Sequence, residues 1–206
     1  VLIMIENAII LATSNTGKIK EFRSLLSSKT CIPQGELDIT DADETGSTFI
    51  ENALLKARHA SRILNRPAIA DDSGLVIPVL KGQPGIYSSR FAGEDASDQE
   101  NITRVLKLLE NIAPHEANKQ PDAFFYCAIV LIKHADDPTP LLGTGKLKGK
   151  IVTTPKGTDG FGYDPIFYLP EYECTLAELS STQKNAISHR SRALQALLSE
   201  EVSHGE

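Results

Sequence analysis

Two consecutive carboxylates, Asp71 and Asp72, close the apolar run Pro67-Ala68-Ile69-Ala70 and are followed by Ser73 and Gly74. A short apolar run of this kind reads as a buried strand, which puts the acids where its carboxyl end meets solvent. Adjacent acids repel each other, so the pair reads either as a Mg²⁺ site with a general base or as an acidic turn. Mg²⁺ takes one or two carboxylates together with phosphate oxygens and waters. Glu44 stands in a Gly-containing loop with Asp41 and Asp43 nearby; it can supply the second carboxylate, with Asp43 as its rival.

An anionic ligand needs positive groups as well. Ser14-Asn15-Thr16-Gly17-Lys18 follows the apolar run Ala8 to Thr13 and resembles half of a P-loop. It lacks the first glycine and the hydroxyl residue after Lys, so a Walker A assignment fails. Two readings remain, a phosphate-cradling loop of another kind and a polar strand-to-helix turn. Further on, Asn52, Lys56 and His59 fall at i, i+4 and i+7 and share one helix face. Such a line is either a solvated face or, through Lys56, a second cation for the acids.

Two later segments carry base-recognition chemistry. In Gly157-Thr158-Asp159-Gly160-Phe161-Gly162-Tyr163-Asp164-Pro165, glycines flank aromatics. Glycine lets backbone approach a flat ligand closely, and Phe161 can stack on a base while Asp164 meets its edge. The alternative is a tight turn with one aromatic plugging the core. Lys184-Asn185-Ala186-Ile187-Ser188-His189-Arg190 offers donors for carbonyls or phosphates. No G-x-S-x-G is present, which ranks a serine hydrolase low.

The elements that must position these groups follow from periodicity. Ile19, Phe22, Leu25 and Leu26 recur at helical spacing after the first strand. Thr48 and Glu51 form a capping-box pattern that opens a helix with the stripe Ile50, Ala53, Leu54, Ala57 and Leu64. Ile102, Val105, Leu106, Leu109 and Ile112 mark another helix, and residues 115–122 a polar loop. Phe124 to Ile132 is apolar on both alternating sets, as in a central strand covered on both faces. A strand region over about Leu141 to Thr154 and a helix carrying Ala193, Leu194, Leu197 and Leu198 complete the order. Strands mixed with helices predict an α/β protein with an elongated sheet and a cleft between two lobes.

The chain has 206 residues, 41% of them hydrophobic and 23% charged, the profile of an ordinary globular protein. Its net charge of −6 argues against broad nucleic-acid affinity. Cys31, Cys127 and Cys174 have no CxxC spacing and are odd in number, which fits reduced cytoplasmic thiols. The apolar start Val1 to Ile5 is too short for a signal peptide or a membrane span, so the expectation is a cytoplasmic protein without a membrane partner.

Six motifs occur in one order: Thr13 to Lys18; Glu44 to Ala53 with Lys56; Ala70 to Leu75; Pro84 to Arg90; Gly160 to Pro165; and Ser188 to Arg190. Together they resemble the inosine triphosphate pyrophosphatase family, the house-cleaning dITP/XTP diphosphatases, over about residues 8–198. Ser14 stands where many members have glycine, and Ser88-Ser89-Arg90 where Ser-Ala-Arg is common. The resemblance implies one pyrophosphatase domain over residues 1–206, two-lobed, with a long mixed β-sheet, flanking helices and a central nucleotide cleft. It also implies a homodimer and Mg²⁺-dependent hydrolysis of purine nucleoside triphosphates (ITP, dITP, XTP) between the α- and β-phosphates.

Carried over by motif, Thr13, Ser14, Asn15, Thr16, Gly17 and Lys18 would hold the triphosphate with Lys56. Glu44 and Asp72 would serve the metal, Asp72 also being the candidate base, and Ser73 would sit against substrate. Phe161, Gly162, Tyr163 and Asp164 would stack on and border the base; Lys184, His189 and Arg190 would read its polar edge. Two rivals stay beside this reading: a Maf-like pyrophosphatase for modified pyrimidine nucleotides, and a nucleotide-binding protein without catalysis.

Overall fold

The computed structural model of the chain describes residues 8–26, 31–112 and 120–203. The expectations for Val1 to Ile5, and for most of the polar loop over 115–122, lie outside the described residues.

Among the described residues, β1 (Ile9–Leu11), β2 (Cys31–Pro33), β3 (Ala68–Val76), β4 (Asp122–Ile132), β5 (Leu141–Ile151), β6 (Phe167–Leu169) and β7 (Cys174–Thr175) form a seven-stranded sheet ordered β2-β1-β3-β4-β5-β6-β7. β1 pairs in parallel with β2 and β3, while β6 is antiparallel to β5 and β7, so the sheet is mixed. The α-helices among the described residues are α1 (Thr16–Leu25), α2 (Phe49–Leu64), α3 (Asp98–Glu110), α4 (Ser181–Ile187) and α5 (His189–Ser203). No helix among the described residues is long and apolar enough to cross a membrane. The predicted α/β class and mixed sheet are what the chain adopts.

The chain divides into two compact units. The first comprises Val1–Asp72, Cys127–Gly145 and Arg190–Glu206, the second Ser73–Tyr126 and Lys146–His189.

In the first unit, strand alternation sorts side chains into two buried clusters. Ile10, Ala12, Ala68, Ala70, Val130 and Ile132 pack with Ala53, Ala57 and Ala60 of α2. Leu11, Ile69, Cys127 and Ile129 pack with Phe22 of α1 and with Ala193, Leu194 and Leu197 of α5. The alanines of α2 recur at i, i+4 and i+7 and meet alanines of β3, which lets the helix backbone approach the sheet closely. The buried stripe of α2 is therefore narrower than its apolar residues predict: Ile50 and Leu64 are exposed. Gly143 in β5 has a similar purpose, since a Cβ there would strike the Ala193 carbonyl oxygen of α5.

The second unit is built around Leu75, Ile77, Ile102, Val105, Phe125, Leu147, Ile151, Ile166, Phe167 and Leu176. Ser97 and Glu100 form a capping box that starts α3.

The strand carrying the two acids differs from the prediction. β3 continues to Val76, so Asp71 and Asp72 lie in mid-strand, and both are buried. Their charges are compensated by cations from neighbouring elements, so the strand has no need to end at them, and Gly74-Leu75-Val76 carries it on.

Candidate active site

The first unit holds the charged cluster. β1 hands over to α1 through Thr13-Ser14-Asn15, where the Thr13 hydroxyl accepts from the Asn15 N–H at 3.2 Å. Asn15 is the N-cap of α1, its side chain accepting from the Lys18 N–H at 3.0 Å. Ser14 donates to Asp41 at 2.8 Å, and Gln34 donates to both, so this side of the loop is braced by residues outside it. Thr16 and Gly17 begin α1, whose amino end is a site of positive potential. Lys18, one turn in, places Nζ 2.9 Å from Asp71 Oδ2.

Asp71 Oδ2 also accepts from Arg190 Nε at 3.3 Å, and Arg190 pairs in turn with Glu21 of α1. Burial on its own would raise the Asp71 pKa; Lys18, then Arg190, outweigh it and hold the carboxyl well below the usual range. The Cys127 thiol beside it is pushed up by burial and by the Asp71 charge.

Asp72 meets a different set. Lys56 of α2 lies 3.6 Å from its Oδ1, and Asn52 Nδ2 donates to Oδ2 at 3.1 Å. The same Lys56 Nζ lies 2.8 Å from Glu44 Oε1, so one ammonium bridges the two acids. Burial raises the Asp72 pKa, and Lys56 and Lys18 offset that only in part. For Lys56 the balance goes the other way: burial lowers its pKa, but Asp72, Asp71 and Glu44 together raise it.

The residues Lys18, Glu44, Lys56 and Asp72, far apart in sequence, are thus collected at β3 by α1, α2 and the loop before α2. Glu44, rather than Asp43, shares Lys56 with Asp72; Asp43 is exposed and Asp41 is taken by Ser14 and Gln34. Among the described residues no group of three or more His, Cys, Asp or Glu side chains gathers as a metal cage. Glu44 with Asp72 nevertheless matches the donor set of a Mg²⁺ that completes its shell with phosphate oxygens and waters, and a cationic group already bridges them.

The second unit holds the glycine-aromatic loop. Gly160 and Gly162 have φ of 84° and 63°, and these left-handed turns set Phe161 between them. Asp164 accepts from the Phe161 N–H at 3.1 Å and lies 2.7 Å from Lys184 Nζ. That ammonium sits 4.5 Å from the Phe161 ring centroid, a cation–π contact. Asp98, at the start of α3, accepts from the Gly162 N–H at 2.6 Å. Tyr163 is buried in the core and donates to the Ser88 carbonyl at 2.8 Å, so it braces the loop from below. His189 is buried and stacks on Phe125 at 4.9 Å between centroids. Ser73 is half-buried, immediately after Asp72 in β3.

The structure thus brings Phe161, Asp164 and Lys184 together in the second unit. Arg190, expected among the base-reading residues, is bonded to Asp71 and Glu21 in the first unit. Sequence reasoning missed Glu21 and Asp98, and it left Asn52 as a member of a helix face only. An acid at position 21, next to Phe22 on the inner side of α1, was a signal that a buried cation awaited it.

The sequence matches the family model described as the Ham1 family over residues 9–200. A dITP/XTP pyrophosphatase of Legionella pneumophila (strain Lens) is 58% identical over 189 residues, covering 92% of this chain and 95% of the relative. One from Escherichia coli O157:H7 is 51% identical over 192 residues, covering 92% and 95%. Among solved structures, a HAM1 protein from Coxiella burnetii superimposes with a TM-score of 0.85 at 46% identity, covering 96% of this chain and 99% of that one.

Proposed function

The chain belongs to the Ham1 family, and from that premise we infer that it is a hydrolase of non-standard purine nucleoside triphosphates, dITP and XTP among them. The products are the monophosphate and pyrophosphate. The observation that carries the reading is the Lys18–Asp71 and Glu44–Lys56–Asp72 grouping at β3. It offers two ammonium groups for a phosphate chain and a carboxylate with a raised pKa for a water molecule.

The phosphates are assigned to the loop from Thr13 to Gly17, the amino end of α1, Lys18 and Lys56. Their positive charge offsets the repulsion that an incoming water meets at the α-phosphorus and stabilises the departing pyrophosphate. Asp72 orients that water and takes its proton; burial raises its pKa, and Mg²⁺ on the same carboxylate would lower it. Glu44 and Asp72 are the residues that would hold Mg²⁺, which when bound supplies further neutralisation of the phosphates. Asp71 keeps Lys18 in place and stays ionised.

The base is assigned to Phe161 for stacking, with Gly162 and Asp164 at its border and Ser73 on the nucleotide. Lys184 and His189 are the donors for the polar edge. A 6-oxo group accepts hydrogen bonds, whereas the adenine amino group donates, so adenine forgoes the bonds that those donors give a 6-oxo purine, about 1–3 kcal/mol each. Arg190 acts through Asp71 and Glu21 in this reading, and Tyr163 through the loop it braces. The setting is a cytoplasmic homodimer with one pyrophosphatase domain per chain.

A panel of ITP, dITP, XTP, dTTP, ATP and GTP with pyrophosphate detection, run with and without Mg²⁺, tests the reading. Turnover of the 6-oxo purines with Mg²⁺ is expected. Preference for modified pyrimidine nucleotides would instead favour a Maf-like activity, and binding without pyrophosphate release a non-catalytic role.

A further inference from the structure

The loop that carries Glu44 has no helix or strand of its own between residues 39 and 48, yet three side chains of α2 grip it in sequence. His59 Nε2 lies 3.0 Å from the Thr40 carbonyl oxygen. A carbonyl only accepts, so Nε2 carries the proton. Lys56 Nζ holds Glu44 Oε1 at 2.8 Å. Asn52 Oδ1 accepts from the Gly46 N–H at 2.8 Å, while its Nδ2 donates to Asp72. The helix descends one turn at a time as the loop ascends from 40 to 46.

Asn52 is fully buried, and both ends of its amide are used. A Cβ on Gly46 would lie 2.6 Å from Asn52 Oδ1, so the loop backbone comes as close to the amide as a glycine permits. The Asn52–Lys56–His59 face is therefore buried at Asn52, half-buried at His59, and in contact with the loop at all three residues.

We propose that this face of α2 is a clamp that sets the register of residues 40–46, with Asn52 and His59 as positioning residues that present Glu44 beside Asp72. The proposal rests on the assignment of Glu44 and Asp72 as the pair that holds Mg²⁺. His59 touches the loop four residues before Glu44, so its loss acts on where Glu44 stands and not on the charges themselves.

The test uses the whole chain with His59→Ala, His59→Phe, His59→Gln and Asn52→Leu. Gln reaches with its amide to where the imidazole Nε2 lies and retains the donor; Phe keeps the ring and loses it. Amide hydrogen exchange over residues 40–47, without metal or nucleotide, is expected to quicken about 3- to 10-fold in His59→Ala, His59→Phe and Asn52→Leu, the worth of one hydrogen bond. His59→Gln should match the wild type.

In dITP hydrolysis, the Mg²⁺ concentration at half-maximal rate should rise by a similar factor in His59→Ala and His59→Phe, recover in His59→Gln, and move more than kcat at saturating Mg²⁺. Unchanged exchange in both His59→Phe and Asn52→Leu would overturn the clamp, as would a fall in kcat with no shift in the Mg²⁺ midpoint. If the wild type fails to turn over dITP, the functional reading fails, while the exchange experiment still decides the clamp.

Discussion

Asp71 and Asp72 are adjacent in β3 and answer to different lysines: Lys18 lies 2.9 Å from Asp71, and Lys56 3.6 Å from Asp72. Alternation along the strand accounts for the division. Asp71 continues the set of Ile69, which faces α1 and α5, and Asp72 the set of Ala68 and Ala70, which faces α2. One acid is then neutralised on both sides by Lys18 and Arg190, and its pKa falls. The other keeps a net desolvation cost, and its pKa rises. Two neighbours of one residue type become a structural counter-ion and a candidate base.

Asp72→Asn should lose about 10²- to 10⁴-fold in kcat for dITP, the range of a positioned general base. The variant should also be at least as stable as the wild type at neutral pH, because removing a buried charge with a raised pKa relieves a cost. Thermal unfolding and steady-state kinetics on one preparation check both halves. Near-normal turnover would remove Asp72 from the catalytic role.

Asp71→Asn should behave in the opposite way. It takes the shared anion from Lys18 and from the buried Arg190, and breaking a buried pair on one side costs roughly 3–5 kcal/mol. Urea denaturation should show the loss as a lower midpoint at unchanged slope. Equal stability would mean that Glu21 alone satisfies Arg190.

The two acids also predict opposite pH signatures. The folded-state pKa of Asp71 lies below its ordinary value of 3.8, so its stabilisation is complete above that pH and fades as pH falls below it. The stability gap between wild type and Asp71→Asn should therefore be flat from about pH 5 to 8 and shrink below about pH 4. Asp72 is raised, so its cost is present above its folded pKa and is relieved as pH falls. Any gain in Asp72→Asn should accordingly shrink on acidification. Unfolding titrations of the three proteins at pH 7 and pH 3 check the signs.

Much of this arrangement was legible in the chain because it is local. The cap at Thr48, the strand before Asp71 and the glycines around Phe161 each announce themselves within a few residues. Glu51 shows the limit even there: it reaches the Ser47 N–H at 2.8 Å, one residue before the cap whose hydroxyl it also meets. What depended on tertiary packing was not legible. Charged residues ordinarily end a strand, and Lys18, Lys56 and Arg190, brought from three helices, with the Asn52 amide let β3 run on through both acids. Glu21, one of the partners of Arg190, lies 169 positions away, beyond the reach of any periodic pattern.

The aromatic loop offers a test of the second unit by itself. Phe161→Ala removes a stacking surface worth about 1–3 kcal/mol per base, so KM for dITP should rise roughly 5- to 150-fold with a smaller change in kcat. Gly160→Ala reaches the same end by another route. Its φ of 84° disfavours any side chain, and a methyl group there would strike the Asp164 carboxylate that holds Lys184. Lys184 would then lose both its anion and its place over the Phe161 ring, though Phe161 itself is unaltered. A rise in KM in Gly160→Ala comparable to that in Phe161→Ala is the expected result. An unchanged KM in Gly160→Ala would mean that the ring alone carries base binding and that the Lys184–Asp164 pair only supports the fold.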